Sequence, residues 1–232
     1  MIGEFYIAEM MGSGAALFDF DGDGDLDVFL VQSGPFSREK VESAQAPIPN
    51  HRLLRNDLYV SSDGTRRMRL TNVIEGSGIQ ARGYGMGVAV GDFNNDGLPD
   101  LYITALGANQ LLRNNGDGTF TDVTAESGTG DPLWSTSATF VDYDQDGWLD
   151  LFVANYVDFS PENNPRCYAP NSARDYCGPQ VFQARHDRLY RNRGDGTFED
   201  VTGKAGLLAA YGPGLGVVAA DFNRNGLPDI FV

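Results

Sequence analysis

One nine-residue pattern, D-x-[DN]-x-[DN]-G-x-x-D, stands four times in this chain: DFDGDGDLD at 19–27, DFNNDGLPD at 92–100, DYDQDGWLD at 142–150 and DFNRNGLPD at 221–229. Repetition on this scale restricts the fold to stacked or radially arranged units, because one repeat cannot bury its apolar face alone. Each copy is followed by an apolar β-type run, at 28–31, 101–104, 151–154 and 230–232, and preceded by another, as at 15–18 and 88–90. The acidic loops therefore join strands.

A second pattern alternates with the first: LLRNNGDGTFTDVT at 111–124 and LYRNRGDGTFEDVT at 189–202. Gly-Asp-Gly between alternating strands signals a hairpin. A worn copy runs from Leu53-Leu54-Arg55-Asn56 to Leu70-Thr71-Asn72-Val73 through a longer turn around Asp63-Gly64. Two loop types and their flanking strands give four strands per unit, the sequence signature of a propeller blade. The predicted fold is thus an all-β propeller segment of four-stranded antiparallel blades, one unit over 1–232 with blades near 12–75, 83–125, 134–204 and a partial one at 213–232. The pattern starts close to the first residue and ends inside a strand pattern at Asp229-Ile230-Phe231-Val232, so the chain reads as part of a longer protein.

With strands labelled A to D and the acidic loop between A and B, the B–C connection of the first blade is longer than that of the second by 15 residues, and that of the third by 28. These insertions run from Gly34 to about Asn50 and from Asp158 to about Asp187. In an up-and-down blade A–B and C–D turns share one end and B–C connections lie at the other, so both insertions are predicted opposite the acidic loops.

Calcium takes six to eight oxygen ligands, and a loop with Asp or Asn at positions 1, 3, 5 and 9 plus the carbonyl of position 7 supplies most of them. The predicted ligands are Asp19, Asp21, Asp23, Asp25 (carbonyl) and Asp27; Asp92, Asn94, Asp96, Leu98 (carbonyl) and Asp100; Asp142, Asp144, Asp146, Trp148 (carbonyl) and Asp150; and Asp221, Asn223, Asn225, Leu227 (carbonyl) and Asp229. Gly24, Gly97, Gly147 and Gly226 occupy the sixth position, where a positive φ is expected. An EF-hand would need a bidentate Glu at position 12, which here is Leu30, Ile103, Val153 or Val232. Zinc would need Cys and His, of which the chain has two each and none in these loops, and magnesium retains its waters in so crowded a cage. Up to four Ca2+ sites follow, the loop at Asp221 being weakest because it offers two carboxylates and carries Arg224.

Charge supports the same reading. Fourteen of the 32 acidic residues lie within the four loops, a density that is costly without cations. A formal charge of −15 argues against nucleic acid as a partner, since that affinity comes from Lys and Arg on phosphates. No stretch approaches the roughly 20 apolar residues of a membrane span, so no membrane insertion is expected.

At these loops the chain resembles the FG-GAP or VCBS-type repeat family, whose integrin-α-like propellers carry calcium loops between the first two strands of a blade. Tyr84-Gly85-Met86-Gly87 and Tyr211-Gly212-Pro213-Gly214 stand where that family has its Phe-Gly signature, whereas Trp134-Ser135-Thr136-Ser137 departs from it. Within the family the Arg-Asn-x-Gly-Asp-Gly-Thr-Phe motif and the Cys-containing third insertion are most similar to the cartilage acidic protein and ASPIC/UnbV type. The resemblance implies about seven blades in the whole propeller, about three and a half of them here, in an exported, non-catalytic protein.

Cys167 and Cys177 share one insertion, where a disulfide competes with two free thiols of a cytosolic protein; the disulfide is the expected state and agrees with an extracellular, periplasmic or cell-surface location. Arg193-Gly194-Asp195 spells an integrin-recognised tripeptide, yet Asn115-Gly116-Asp117 in the parallel position shows the turn alone accounts for it. His51 and His186 have no paired acid or nucleophile in sequence, and Trp148 reads as a packing residue. The expected function is a recognition or adhesion module that binds a protein or glycan through the end opposite the loops. A calcium-dependent polysaccharide lyase and a purely architectural segment are the alternatives, and no acid/base pair outside the loops supports catalysis.

Overall fold

The computed structural model describes residues 4–34, 51–209 and 211–232. The chain is mostly β. In the first unit β1 (Ala15–Phe18), β2 (Asp27–Leu30) and β3 (Arg52–Asn56) are followed by a small hairpin, β4 (Tyr59–Val60) with β5 (Arg66–Arg67), and by the outer strand β6 (Leu70–Asn72). The sheet order is β1-β2-β3-β6, with antiparallel neighbours throughout. The second unit repeats this plan with β7 (Tyr84–Gly91), β8 (Asp100–Leu106), β9 (Gln110–Asn114) and β10 (Phe120–Asp122). A one-turn helix, α1 (Thr124–Ser127), leads from it to the third unit.

The third unit consists of β11 (Ser135–Val141), β12 (Asp150–Asn155), β15 (Arg188–Asn192) and β16 (Phe198–Asp200), with the hairpin β13 (Cys167–Tyr168) and β14 (Arg174–Asp175) inside its insertion. β17 (Val218–Ala220) and β18 (Asp229–Phe231) form a two-stranded sheet around the fourth loop. Four-stranded antiparallel units are therefore present as expected. The first insertion, apart from Gly34, falls outside the described residues.

Strand alternation explains how the units stack. On β8 Leu101 and Ile103 point into a cluster with Phe18, Phe29 and Leu53 of the first unit, while Tyr102 between them joins Leu151, Val153 and Tyr190 of the third. Successive residues of a strand face opposite sides, so a strand buried on both faces must be apolar without a break. β8 is such a run, and each interior sheet is sandwiched between its neighbours. All of Leu101, Tyr102 and Ile103 are at most 1% exposed, and burying each such side chain contributes roughly 1.5–3 kcal/mol.

The antiparallel order places the 158–187 insertion at the far end of β12 from the acidic loop that precedes Asp150. There Trp134, Tyr156, Val157 and Phe159 form a third cluster with Ile7 and Ala8 from the N-terminal segment. That segment is tied to the insertion: Asn164 Nδ2 and Arg174 Nη2 donate to the Glu4 carbonyl at 2.9 and 3.1 Å, and Phe5 packs edge-on against Tyr176. Cys167 and Cys177 are joined in a disulfide.

Candidate metal centres

All four acidic loops fold onto one hydrogen-bond scheme. The carboxylate at position 1 accepts the N–H of position 5 on Oδ1 and that of position 6 on Oδ2: Asp19 from Asp23 and Gly24, Asp92 from Asp96 and Gly97, Asp142 from Asp146 and Gly147, Asp221 from Asn225 and Gly226. The Oδ1 of position 5 accepts the N–H of position 7. Position 6 has φ between 85° and 90° in every copy, the left-handed backbone for which glycine is suited. Position 4 is left-handed too, at Gly22, Asn95, Gln145 and Arg224, a feature the sequence pattern did not signal.

Position 9 has a different task. Asp27, Asp100 and Asp150 are fully buried. Oδ2 of each accepts the N–H of position 2, from Phe20, Phe93 or Tyr143, and Oδ1 accepts the N–H of the Asn that ends the third strand, Asn56, Asn114 or Asn192, at 2.8 Å. Burial pushes the carboxyls of Asp100 and Asp150 up to about 7 and about 6, against the pull of those N–H donors, and raises Asp27 in the same way. A buried anion so placed gains from a cation close by. Asp229 receives Phe222 N–H at 3.0 Å and is only partly buried, since no third strand follows it among the described residues.

The Asn that ends each third strand has a task that its place in the motif does not announce. Asn114 Nδ2 donates to the Pro99 carbonyl of its own loop and, at 2.8 Å, to the Phe20 carbonyl of the preceding unit; its Oδ1 accepts Gly116 N–H. Asn192 does the same with Leu149, Phe93 and Gly194. Its recurrence beside the hairpin in every unit was the available signal. A second stitch runs the other way, from Asn95 Nδ2 to the Gly147 carbonyl at 3.0 Å and from Gln145 Nε2 to the Gly226 carbonyl at 2.7 Å.

Two groups of carboxylates come together closely: one ligand oxygen each from Asp19, Asp21 and Asp27, and one each from Asp142, Asp144 and Asp146, lie within 4.8 Å of one another. An all-oxygen set drawn this close could hold a hard cation. Asp23 and Asp150 stand outside those groups. In the other two loops the position-3 amides turn inward, Asn94 Nδ2 donating to Asp96 and Asn223 Nδ2 to Asp229.

The remaining sequence candidates take structural places. Trp148 lies over Gly194, where an added Cβ would come within 2.8 Å of its ring, and Leu98 covers Gly116 in the same manner. Asp195 accepts the Thr197 N–H and hydroxyl, as Asp117 does from Thr119, so the Gly-Asp-Gly tripeptide closes its turn. His51 Nδ1 accepts Gln32 N–H at 3.0 Å, and His186 packs on Tyr211.

A chain of repeated antiparallel sheets with one such acidic loop between the first two strands of each unit defines a class of repeat protein. The sequence matches the FG-GAP-like repeat over residues 19–103, 92–153 and 179–232, and the chain belongs to that family. Among curated relatives it is 26% identical over 94% of its length to cartilage acidic protein 1 of Homo sapiens and 24% identical over 86% to that of Mus musculus. The Xenopus tropicalis protein of the same name is 29% identical over 53% of the chain. The chain spans 38% of the human relative and 36% of the mouse one.

Proposed function

We propose that this chain is a calcium-binding, non-catalytic β-propeller segment that serves as a recognition or adhesion module of an exported or cell-surface protein. The observation that carries the reading is the recurrence of one preorganised oxygen scaffold at the same end of four successive units. Metal is needed there because the buried position-9 carboxylates and the clustered exposed ones repel each other without it. The family membership supports blades as the unit of assembly, since FG-GAP-like repeats are the units of such propellers.

Calcium in this reading stiffens one end, and the partner, a protein or a glycan, meets the other. The 158–187 insertion is the surface for it: the disulfide and the N-terminal segment hold it, and Tyr168 and Val181 stand exposed on it. Binding residues concentrate on loops carried by a rigid scaffold. The disulfide also favours an oxidising compartment.

Calorimetric titration with calcium and melting curves with and without chelator test the metal reading; a saturable heat of binding together with a higher melting temperature in calcium is expected. No calcium effect in either measurement would remove it. Glycan arrays and pull-downs with and without alanine substitutions at Tyr168 and Val181 test the partner surface, and calcium-dependent cleavage of an acidic polysaccharide would replace it with catalysis.

A further inference from the structure

The third loop already holds a cation of the protein's own. Arg191, on β15, directs its guanidinium at the loop: Nε donates to Asp144 Oδ2 at 2.7 Å and Nη2 to Asp146 Oδ2 at 2.9 Å. These are positions 3 and 5, two of the three carboxylates drawn together there. A forked, two-carboxylate contact of this kind is among the stronger arginine interactions.

The equivalent arginines behave differently, and the acids within reach of each account for it. Arg55 in the first unit has Asp57 two residues on and pairs with it at 2.8 Å; its charge still reaches Asp21 and Asp23, but among the described residues it makes no hydrogen bond to either. In the third unit that position is Arg193, which pairs instead with Glu199 at 3.7 Å. Glu199, which stands opposite Arg191 on β16, is already paired with Arg193 and Lys204, and Arg191 turns to the loop. In the second unit the position is Asn115, whose side chain is engaged by Thr119 and Thr121, and Arg113 is left exposed.

The geometry points to Arg191 as a resident counter-ion of the third loop, which an incoming calcium ion must displace from Asp144 and Asp146. This rests on the calcium reading above. It alters the ranking by carboxylate number, in which the first and third loops are equal: the third binds more weakly than the first.

The loop supplies its own reporter. Trp148 is its seventh residue, and the chain's other tryptophan, Trp134, is buried in the cluster with Tyr156 at the opposite end. Terbium luminescence excited through tryptophan therefore reports the third loop, and calcium affinity there is read by competition. Arg191→Met is expected to raise that affinity roughly tenfold. Arg193→Asp should also raise it by giving Arg191 the partner that Asp57 gives Arg55, and its gain should shrink in the Arg191→Met background. Arg191 is a half-exposed surface side chain, and an unchanged circular dichroism spectrum together with Arg191→Lys, which keeps charge but loses the fork, guards against a folding artefact. Unchanged or weakened calcium affinity in Arg191→Met overturns the inference while calorimetry still records calcium at the first loop. Absence of calcium heat in every variant overturns the calcium reading itself, and this inference with it.

Discussion

Removing the side chain of Asn192 is the sharpest probe of how the units are held together. Asn192→Ala keeps the backbone N–H on Asp150 but deletes three hydrogen bonds: to the Phe93 carbonyl at 2.7 Å, to the Leu149 carbonyl at 3.0 Å and from Gly194 N–H at 2.9 Å. Asn192 is 1% exposed. The Phe93 contact is fully buried, so its orphaned carbonyl carries the whole desolvation penalty, whereas the other two groups are partly buried and recover some water. At about 1–3 kcal/mol for a buried orphan, the loss sums to about 3 kcal/mol. Urea unfolding followed by far-ultraviolet circular dichroism should show it as a lower midpoint with an unchanged slope. Asn192→Asp should cost at least as much, because it swaps two donors for acceptors that face carbonyls and stand near Asp150. Arg113→Ala, at the exposed position preceding the equivalent Asn114, should change stability by less than about 0.5 kcal/mol. A loss below about 1 kcal/mol for Asn192→Ala would mean that water replaces the side chain and that the stitch between units carries no energy.

Three further outcomes are expected. Burial drives His51 down to about 4 from its usual 6.5, so the unfolded chain takes up the proton first: stability is fully present above pH 6.5 and falls as pH drops through that value towards 4. The difference amounts to about 3 kcal/mol, and urea midpoints at pH 7 and 4.5 should converge for His51→Asn relative to wild type. Gly194→Ala should destabilise more than Gly196→Ala: both glycines are left-handed, but an added Cβ meets the Trp148 ring at 2.8 Å in the first and open space in the second. Roughly 1 kcal/mol is expected at Gly196 and about 1–3 kcal/mol more at Gly194, measured by thermal melts. Reducing the Cys167–Cys177 disulfide should cost about 3 kcal/mol and raise amide exchange across 158–187 while β11, β12, β15 and β16 stay protected.

Much of this architecture was legible because it is local and repeated. The loop pattern gave the strand boundaries at Asp27, Asp100 and Asp150, Gly-Asp-Gly gave the hairpins, and the difference in spacing placed the insertion that begins at Asp158. What the pattern did not reveal depends on partners far apart in the chain. The N-terminal segment reaches Asn164 and Arg174 across more than 150 residues, and nothing in Glu4 or Phe5 announces it. The pattern presents Asp100 as one ligand among equals, yet its two oxygens accept the Phe93 and Asn114 N–H groups, a role visible only once β9 lies beside the loop. Arg191 was hidden for a subtler reason: its partner is decided by which neighbouring acids are already paired, and Glu199 opposite it is held by Arg193 and Lys204.

The stitches between loops also have a direction. At the fourth position Asn95 reaches forward to the third loop and Gln145 to the fourth, while Asn114 and Asn192 reach backward to Phe20 and Phe93. A displacement of one loop is thus passed both ways along the row, as through a zip with teeth on both tapes. The first loop lacks one tape, because its fourth residue is Gly22, which has no side chain to send ahead. Among the described residues its side-chain hydrogen bond to the next unit is the backward one that Asn114 sends to Phe20, so the first two loops are coupled through a single tape.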